Sequence, residues 1–154
     1  MTESKESKAR NTPTAEMLAQ ALPRLTPEQV AQVSPKLASE SFAPGAIIIH
    51  QGHPARRFYI IVQGQAEVWH RDIKGNEVQV NSLGPGDYFG ETGLIQSQPR
   101  NATVRASEGN SFEVLVLNQL DFEAMMEESK ASEMHIAQEM VQRLIKLANA
   151  QADE

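Results

Sequence analysis

Apolar and polar positions follow three different rhythms along this chain. From Thr14 to Leu37 the apolar residues Met17, Leu18, Leu22, Leu25, Val30, Val33 and Leu37 recur at helical spacing, cut by Pro23, Pro27 and Pro35. They read as packing residues on short helices. Thr26-Pro-Glu-Gln29 has the form of a helix start, with Thr26 as N-cap, Pro27 in the first helical position and Gln29 closing a capping box. Between Ser41 and Val116 the rhythm changes to short β-rich runs separated by turn signals. The runs are Ala46–His50, Phe58–Val62, Ala66–Trp69, Val78–Leu83, Ala102–Ala106 and Phe112–Leu117. Lys74-Gly-Asn76, between two of them, predicts a hairpin turn. From Gln119 onward the chain is helix-compatible, and Met134–Ala150 carries apolar residues at 136, 137, 140, 141, 144, 145, 147 and 148. That is a wide apolar stripe at helical period.

Glycine and proline sharpen these boundaries. All nine glycines lie between residues 45 and 109, and no proline follows Pro99. The turns are therefore confined to the middle of the chain. The expected organisation is a polar, disordered N-terminus over 1–13, a helical segment over 14–40, a β-barrel over 41–118 and C-terminal helices over 119–150. The fold class is mainly β with flanking helices.

Composition narrows the classes of function. With 154 residues, of which 40% are hydrophobic and 22% charged, the chain suits one domain with a core that needs no metal or disulfide. The absence of cysteine excludes disulfides, zinc thiolates and thiol catalysis. No apolar run approaches the roughly 20 residues of a membrane-spanning helix. The opening residues lack the apolar stretch of a signal peptide, so a cytoplasmic protein without a membrane partner is expected. A net charge of −6 argues against polyanionic partners such as nucleic acid.

The chemistry concentrates in Gly84-Pro-Gly-Asp-Tyr-Phe-Gly-Glu-Thr-Gly-Leu94 and the following Gln98-Pro-Arg-Asn-Ala-Thr-Val104. Gly90 and Gly93 allow a backbone to approach a ligand closely, since neither carries a Cβ. A short helical turn opened by Glu91 would leave the N–H groups of Thr92 and Gly93 free as anion donors. Arg100 adds a charge-assisted contact suited to a phosphate. Glu91 accepts hydrogen bonds only, which suits a sugar hydroxyl, although it could instead cap the turn or pair with Arg100. Together these groups describe a pocket for a sugar phosphate.

Phe89-Gly-Glu-Thr-Gly-Leu94 and Pro99-Arg-Asn-Ala-Thr-Val104 resemble the phosphate-binding cassette of the cyclic-nucleotide-binding domain family. The likeness extends from about Ser41 to Phe122 and includes Phe42-Ala-Pro-Gly45, Phe58-Tyr-Ile-Ile-Val-Gln-Gly64 and Leu83-Gly-Pro-Gly-Asp87. It implies a β-roll or jelly-roll barrel. It also implies that Glu91 and the Gly90 backbone hold the ribose 2′-hydroxyl. Arg100 pairs with the cyclic phosphate, helped by the N–H groups of Thr92, Gly93 and Asn101, with Ala102 in the same set. Val68, Val80 and Leu83 wall the purine and ribose. Asn101 stands where relatives often carry Ala, Ser or Thr, which bears on the choice between cyclic AMP, the favoured ligand, and cyclic GMP. Leu147 and Ala148 occupy the positions that read adenine in the bacterial activator, so an apolar cap by Leu144 or Leu147 is expected in place of a polar contact.

Several other readings compete with this one. The activator-type relatives continue into a DNA-binding module, and none is expected before Glu154; Gln119–Glu154 carries eight acids against three bases. A cupin-like metal enzyme would use His50, His53, His70 or His135, but no third ligand follows His50-x-x-His53 at a metal-site interval. No paired carboxylates or Ser/His/Asp set stands out, so neither an enzyme nor a metal site is expected. Met134, Ala137, Val141, Leu144 and Ala148 fall near a heptad seam, which suggests a homodimer through the C-terminal helix. A β-roll that serves only as an interaction or dimerisation module is thus the alternative to a sensor that couples phosphate and ribose binding to movement of that helix. The effector protein is not identified by the sequence.

Overall fold

The computed structural model describes residues 14–152, so the disorder expected over 1–13 lies outside the described residues. Helix α1 runs over residues 14–21 and α2 over Pro27–Val33. The capping box at the start of α2 forms as expected: Gln29 N–H donates to Thr26 Oγ1 at 3.2 Å and Thr26 N–H to Gln29 Oε1 at 2.9 Å. A 3-10 turn, Ser34–Lys36, leads into the sheets.

Eight strands follow: β1 Ala38–Phe42, β2 Ile47–Ile49, β3 Arg57–Gln63, β4 Ala66–Arg71, β5 Glu77–Leu83, β6 Tyr88–Phe89, β7 Thr103–Ala106 and β8 Phe112–Asn118. They form two four-stranded antiparallel sheets, in the orders β1-β8-β3-β6 and β2-β7-β4-β5, with helices at the flanks, which is a β-roll. Six of the strands match the β-rich runs of the sequence. The other two, β1 and β6, carry no periodic apolar signal. Strand β1 is a polar edge strand recruited by pairing with β8 (Glu40 opposite Val114, Phe42 opposite Phe112), and β6 is only two residues long. The hairpin at Lys74-Gly-Asn76 joins β4 to β5, and Gly75 there has φ 89°. Asp72 accepts from the N–H groups of Lys74 and Asn76, each at 2.9 Å.

Strands β3 and β8 have apolar side chains on both faces because each separates two cores. Phe58 and Ile60 of β3, with Leu115 and Leu117 of β8, pack against Leu18, Leu22, Phe122, Met125 and Ile136 from the helices. Tyr59 and Ile61, with Phe112, Val114 and Val116, face inside the roll against Ile49, Leu83, Phe89 and Val104. Each such side chain contributes about 1.5–3 kcal/mol on burial. The first core fixes the sheet against α1 and the C-terminal helices, and the second holds the two sheets together.

Helix α3 (Glu91–Gln96) follows β6, and α4 (Gln119–Glu128) follows β8, capped by Asn118, whose Oδ1 accepts from Asp121 N–H at 2.8 Å. Helix α5 then spans Lys130–Ala152, starting earlier than the Met134 suggested by periodicity. The break between α4 and α5 is the single residue Ser129, where φ is −126° and ψ 85°. Its hydroxyl donates to the Ser132 hydroxyl at 2.8 Å, and both residues are buried. Beyond this joint Ser132 and Ile136 are the fully buried residues of α5 among those described, and residues 137–150 are half-buried or exposed. No helix of the described residues is long and apolar enough to cross a membrane.

Candidate ligand-binding site

Gly90 is the corner on which the site is built. It caps α3 with φ 93°, and a Cβ there would lie 2.8 Å from the Arg57 carbonyl oxygen and 3.2 Å from Arg100 Nη1. Only glycine accommodates both constraints. Gly93 is required by packing as well. Its missing Cβ would meet Ala55 Cβ at 2.5 Å and the Gln98 carbonyl at 3.0 Å, so the protein's own packing uses the space. As the first turn of a helix, residues 91–93 have N–H groups with no carbonyl partner inside α3.

Arg100 is 8% exposed and sits beneath this turn. Its Nη1 donates to the Gly90 carbonyl at 2.6 Å and its Nη2 to the Arg57 carbonyl at 2.7 Å. Among the described residues it has no carboxylate partner within ion-pair distance. Burial pulls the guanidinium below its ordinary value, opposed by the Tyr59 phenol and Glu91. Two of its five N–H donors are committed, leaving the others for an anion. A buried cation without a counter-charge costs several kcal/mol, which an oxyanion beside it offsets.

Glu91, 1% exposed, does not pair with Arg100. Its partner is Arg143 of α5, whose Nη1 donates to Oε1 at 2.8 Å and to Oε2 at 3.0 Å. Arg143 Nη2 donates to the Tyr88 carbonyl at 2.6 Å, and the guanidinium lies 4.9 Å from the centre of the Tyr88 ring. Burial, then the Glu91 carboxylate, hold the Tyr88 phenol well above its ordinary value. Helix α5 is thus clasped to the start of α3 by one arginine.

Between the two charged anchors and α5 lies a cavity of about 670 Å³, part of it open to solvent. Every residue singled out from the sequence lines it: Gly90, Glu91, Thr92, Gly93, Arg100, Asn101 and Ala102 at one end, and Val68, Val80, Leu83, Leu144 and Leu147 at the other. The cavity is also lined by Asn81, Arg143 and Lys146, which the sequence reading did not include. Lys146 Nζ donates to Asn81 Oδ1 at 3.3 Å, bridging α5 to β5 across the mouth. Helix α5 thus brings two cations, Arg143 and Lys146, to the cavity beside Leu144 and Leu147. The available signal for Arg143 was its position in the run Ile136, Met140, Arg143, Leu147, which steps along one helix face.

Leu144, named both for the base cap and for the heptad seam, lines the cavity. The exposed apolar stripe of α5 is instead Met134, Val141 and Ile145, at 62%, 49% and 48% exposure. The four histidines do not assemble a metal centre: among the described residues no three His, Cys, Asp or Glu side chains cluster.

A family model described as cyclic nucleotide-binding domain matches residues 39–129. The chain is 40% identical over 86 residues to a cAMP-dependent protein kinase regulatory subunit of Hypocrea atroviridis, covering 56% of this chain and 18% of that protein. The regulatory domain of Toxoplasma gondii PKA, co-crystallised with cAMP, superposes with a TM-score of 0.77 at 27% identity, over 88% of this chain and 52% of that one. The regulatory subunit of a cAMP-independent protein kinase A from Trypanosoma cruzi, bound to guanosine, gives a TM-score of 0.74 at 28% identity, over 92% and 52%. The chain thus spans under a fifth of the fungal relative and about half of the two solved structures.

Proposed function

The chain belongs to the cyclic nucleotide-binding domain family, and we propose that it is a sensor that binds a cyclic nucleotide, cAMP in preference to cGMP, and couples occupancy to the position of α5. The observation that carries this reading is Arg100, buried without an acidic partner, in the same cavity as the buried carboxylate Glu91. The cyclic phosphate supplies the missing counter-charge beside Arg100 and the first N–H groups of α3. The ribose 2′-hydroxyl donates to Glu91, whose two oxygens have room for a donor beyond Arg143. Val80, Leu83, Leu144 and Leu147 cover the base by apolar contact, which favours adenine.

Glu91 makes the coupling. Arg143 of α5 and the ribose meet on the same carboxylate, so the clasped helix and the occupied cavity stabilise each other. This is a population shift, limited in size by the nucleotide's differential affinity for the clasped and open helix. The likeness to kinase regulatory subunits supports a regulatory output through a separate catalytic partner.

Titration calorimetry with cAMP, cGMP and guanosine tests the reading. Saturable binding of cAMP, weaker binding of cGMP and loss of about 2–5 kcal/mol in Arg100→Ala are expected. Absence of heat with both cyclic nucleotides, or equal affinity in wild type and Arg100→Ala, would refute it. Tighter binding of guanosine than of either cyclic nucleotide would place this chain with nucleoside binders.

A further inference from the structure

Outside the cavity, a polar cleft opens between the β2–β3 turn, the end of β4 and the start of β7. It is lined by His50, Gln51, His53, Arg71 and Thr103. Its lining contains one arginine, two imidazoles and a hydroxyl, and no carboxylate, in a chain whose net charge is −6. The imidazoles stand side by side, with ring centres 4.8 Å apart and planes inclined by 27°.

Local hydrogen bonds fix the frame of this cleft and leave its donors open. The Gln51 side chain is held to the Arg71 backbone: its Nε2 donates to the Arg71 carbonyl and its Oε1 accepts from the Arg71 N–H, both at 2.9 Å. Thr103 Oγ1 accepts from Gln51 N–H at 3.1 Å, so its own proton remains to be donated. Arg71 forms no ion pair among the described residues. The adjacent carboxylate, Asp72, accepts from the Lys74 and Asn76 amides.

The geometry points to a second ligand site here, for a phosphate-type oxyanion, either free or carried as a phosphomonoester on a small molecule. Arg71 supplies the fixed positive charge and a planar set of donors, and Thr103 and the imidazoles supply further donors around it. A metal ion is disfavoured by the arginine and by the lack of a third ligating side chain among the described residues. The site stands on its own groups and does not depend on nucleotide binding in the main cavity. It lies beside that cavity nevertheless: Gly52 N–H donates to the Arg100 carbonyl at 2.8 Å, and Arg100 N–H donates to the His53 carbonyl at 2.9 Å. An anion held by the turn is therefore two main-chain hydrogen bonds from the residue that faces the first site.

The test is a titration of the full chain with inorganic phosphate, followed by the imidazole C–H resonances in NMR at fixed pH, with chloride at matched ionic strength as control. Saturable shifts of His50 and His53, with His135 on α5 unmoved, are expected, and Arg71→Ala should weaken phosphate at least tenfold. Arg71→Lys, which keeps the charge, should retain part of the binding and show that the effect is not misfolding. A parallel titration with glucose 6-phosphate separates the sources: tighter binding than phosphate indicates a carried phosphate, and equal binding a free one. Shifts that chloride reproduces, or that persist unchanged in Arg71→Ala, overturn the proposal. Persistence in that variant would assign the phosphate to Arg100 instead.

Discussion

Replacing Arg143 by alanine should unclasp α5 without disturbing the roll. The side chain makes three hydrogen bonds, to both oxygens of Glu91 and to the Tyr88 carbonyl, at 2.8, 3.0 and 2.6 Å. Without it Glu91 keeps only the Thr92 hydroxyl, at 3.4 Å, as a side-chain partner. Stranding a buried charge costs about 3–5 kcal/mol. Arg143 is itself 17% exposed, so water reaches Glu91 once the helix lifts, and a loss of about 2–3 kcal/mol is the better figure. If the clasped helix is the nucleotide-binding state, the apparent Kd rises by no more than the same free energy, about 30–150-fold. A double-mutant cycle with Glu91→Gln, read by urea unfolding, should give a coupling of about 1.5–3 kcal/mol. Additivity within about 0.5 kcal/mol would refute the clasp. An unchanged nucleotide Kd in a folded Arg143→Ala protein would refute its part in binding.

Three further outcomes follow from packing and capping. Gly93→Ala should destabilise by about 1–3 kcal/mol in thermal unfolding, because the new methyl collides with Ala55 and the Gln98 carbonyl. Thr26→Ala removes the capping box of α2 and should cost about 0.5–2 kcal/mol by urea unfolding. The exposed stripe Met134, Val141 and Ile145 supports a homodimer through α5. Sedimentation should show a dimer that Val141→Lys converts to monomer, and a wild type that stays monomeric at high concentration would exclude it.

The parts legible in the sequence were those whose signal is local. The helix start at Thr26, the hairpin at Gly75 and the two-faced strand Phe58–Val62 each follow from neighbours a few residues away. The cassette was legible because its glycines, acid and arginine are compressed between Phe89 and Val104. Strand β1 was not, because Ala38–Phe42 is shaped by its pairing with β8 and has no alternation of its own. Arg143 escaped for a related reason. It lies 52 residues from Glu91, and on a half-exposed helix an arginine reads as a solvated residue until the fold brings its partner to it.

The buried joint at Ser129 gives α5 a mechanical character. The break is one residue wide, Ser132 and Ile136 bury the first two turns of α5 in the core, and beyond Ile136 the polar ties to the roll come from Arg143 and Lys146. At about 1.5 Å per residue, Arg143 stands roughly 10 Å beyond Ile136. A tilt of about 20° over that length would displace it by about 3.5 Å, more than the length of any hydrogen bond it makes. Under the proposed coupling, this arm would act as a lever with its load at Glu91. A small angular change near its base would then engage or release the clasp at the cavity.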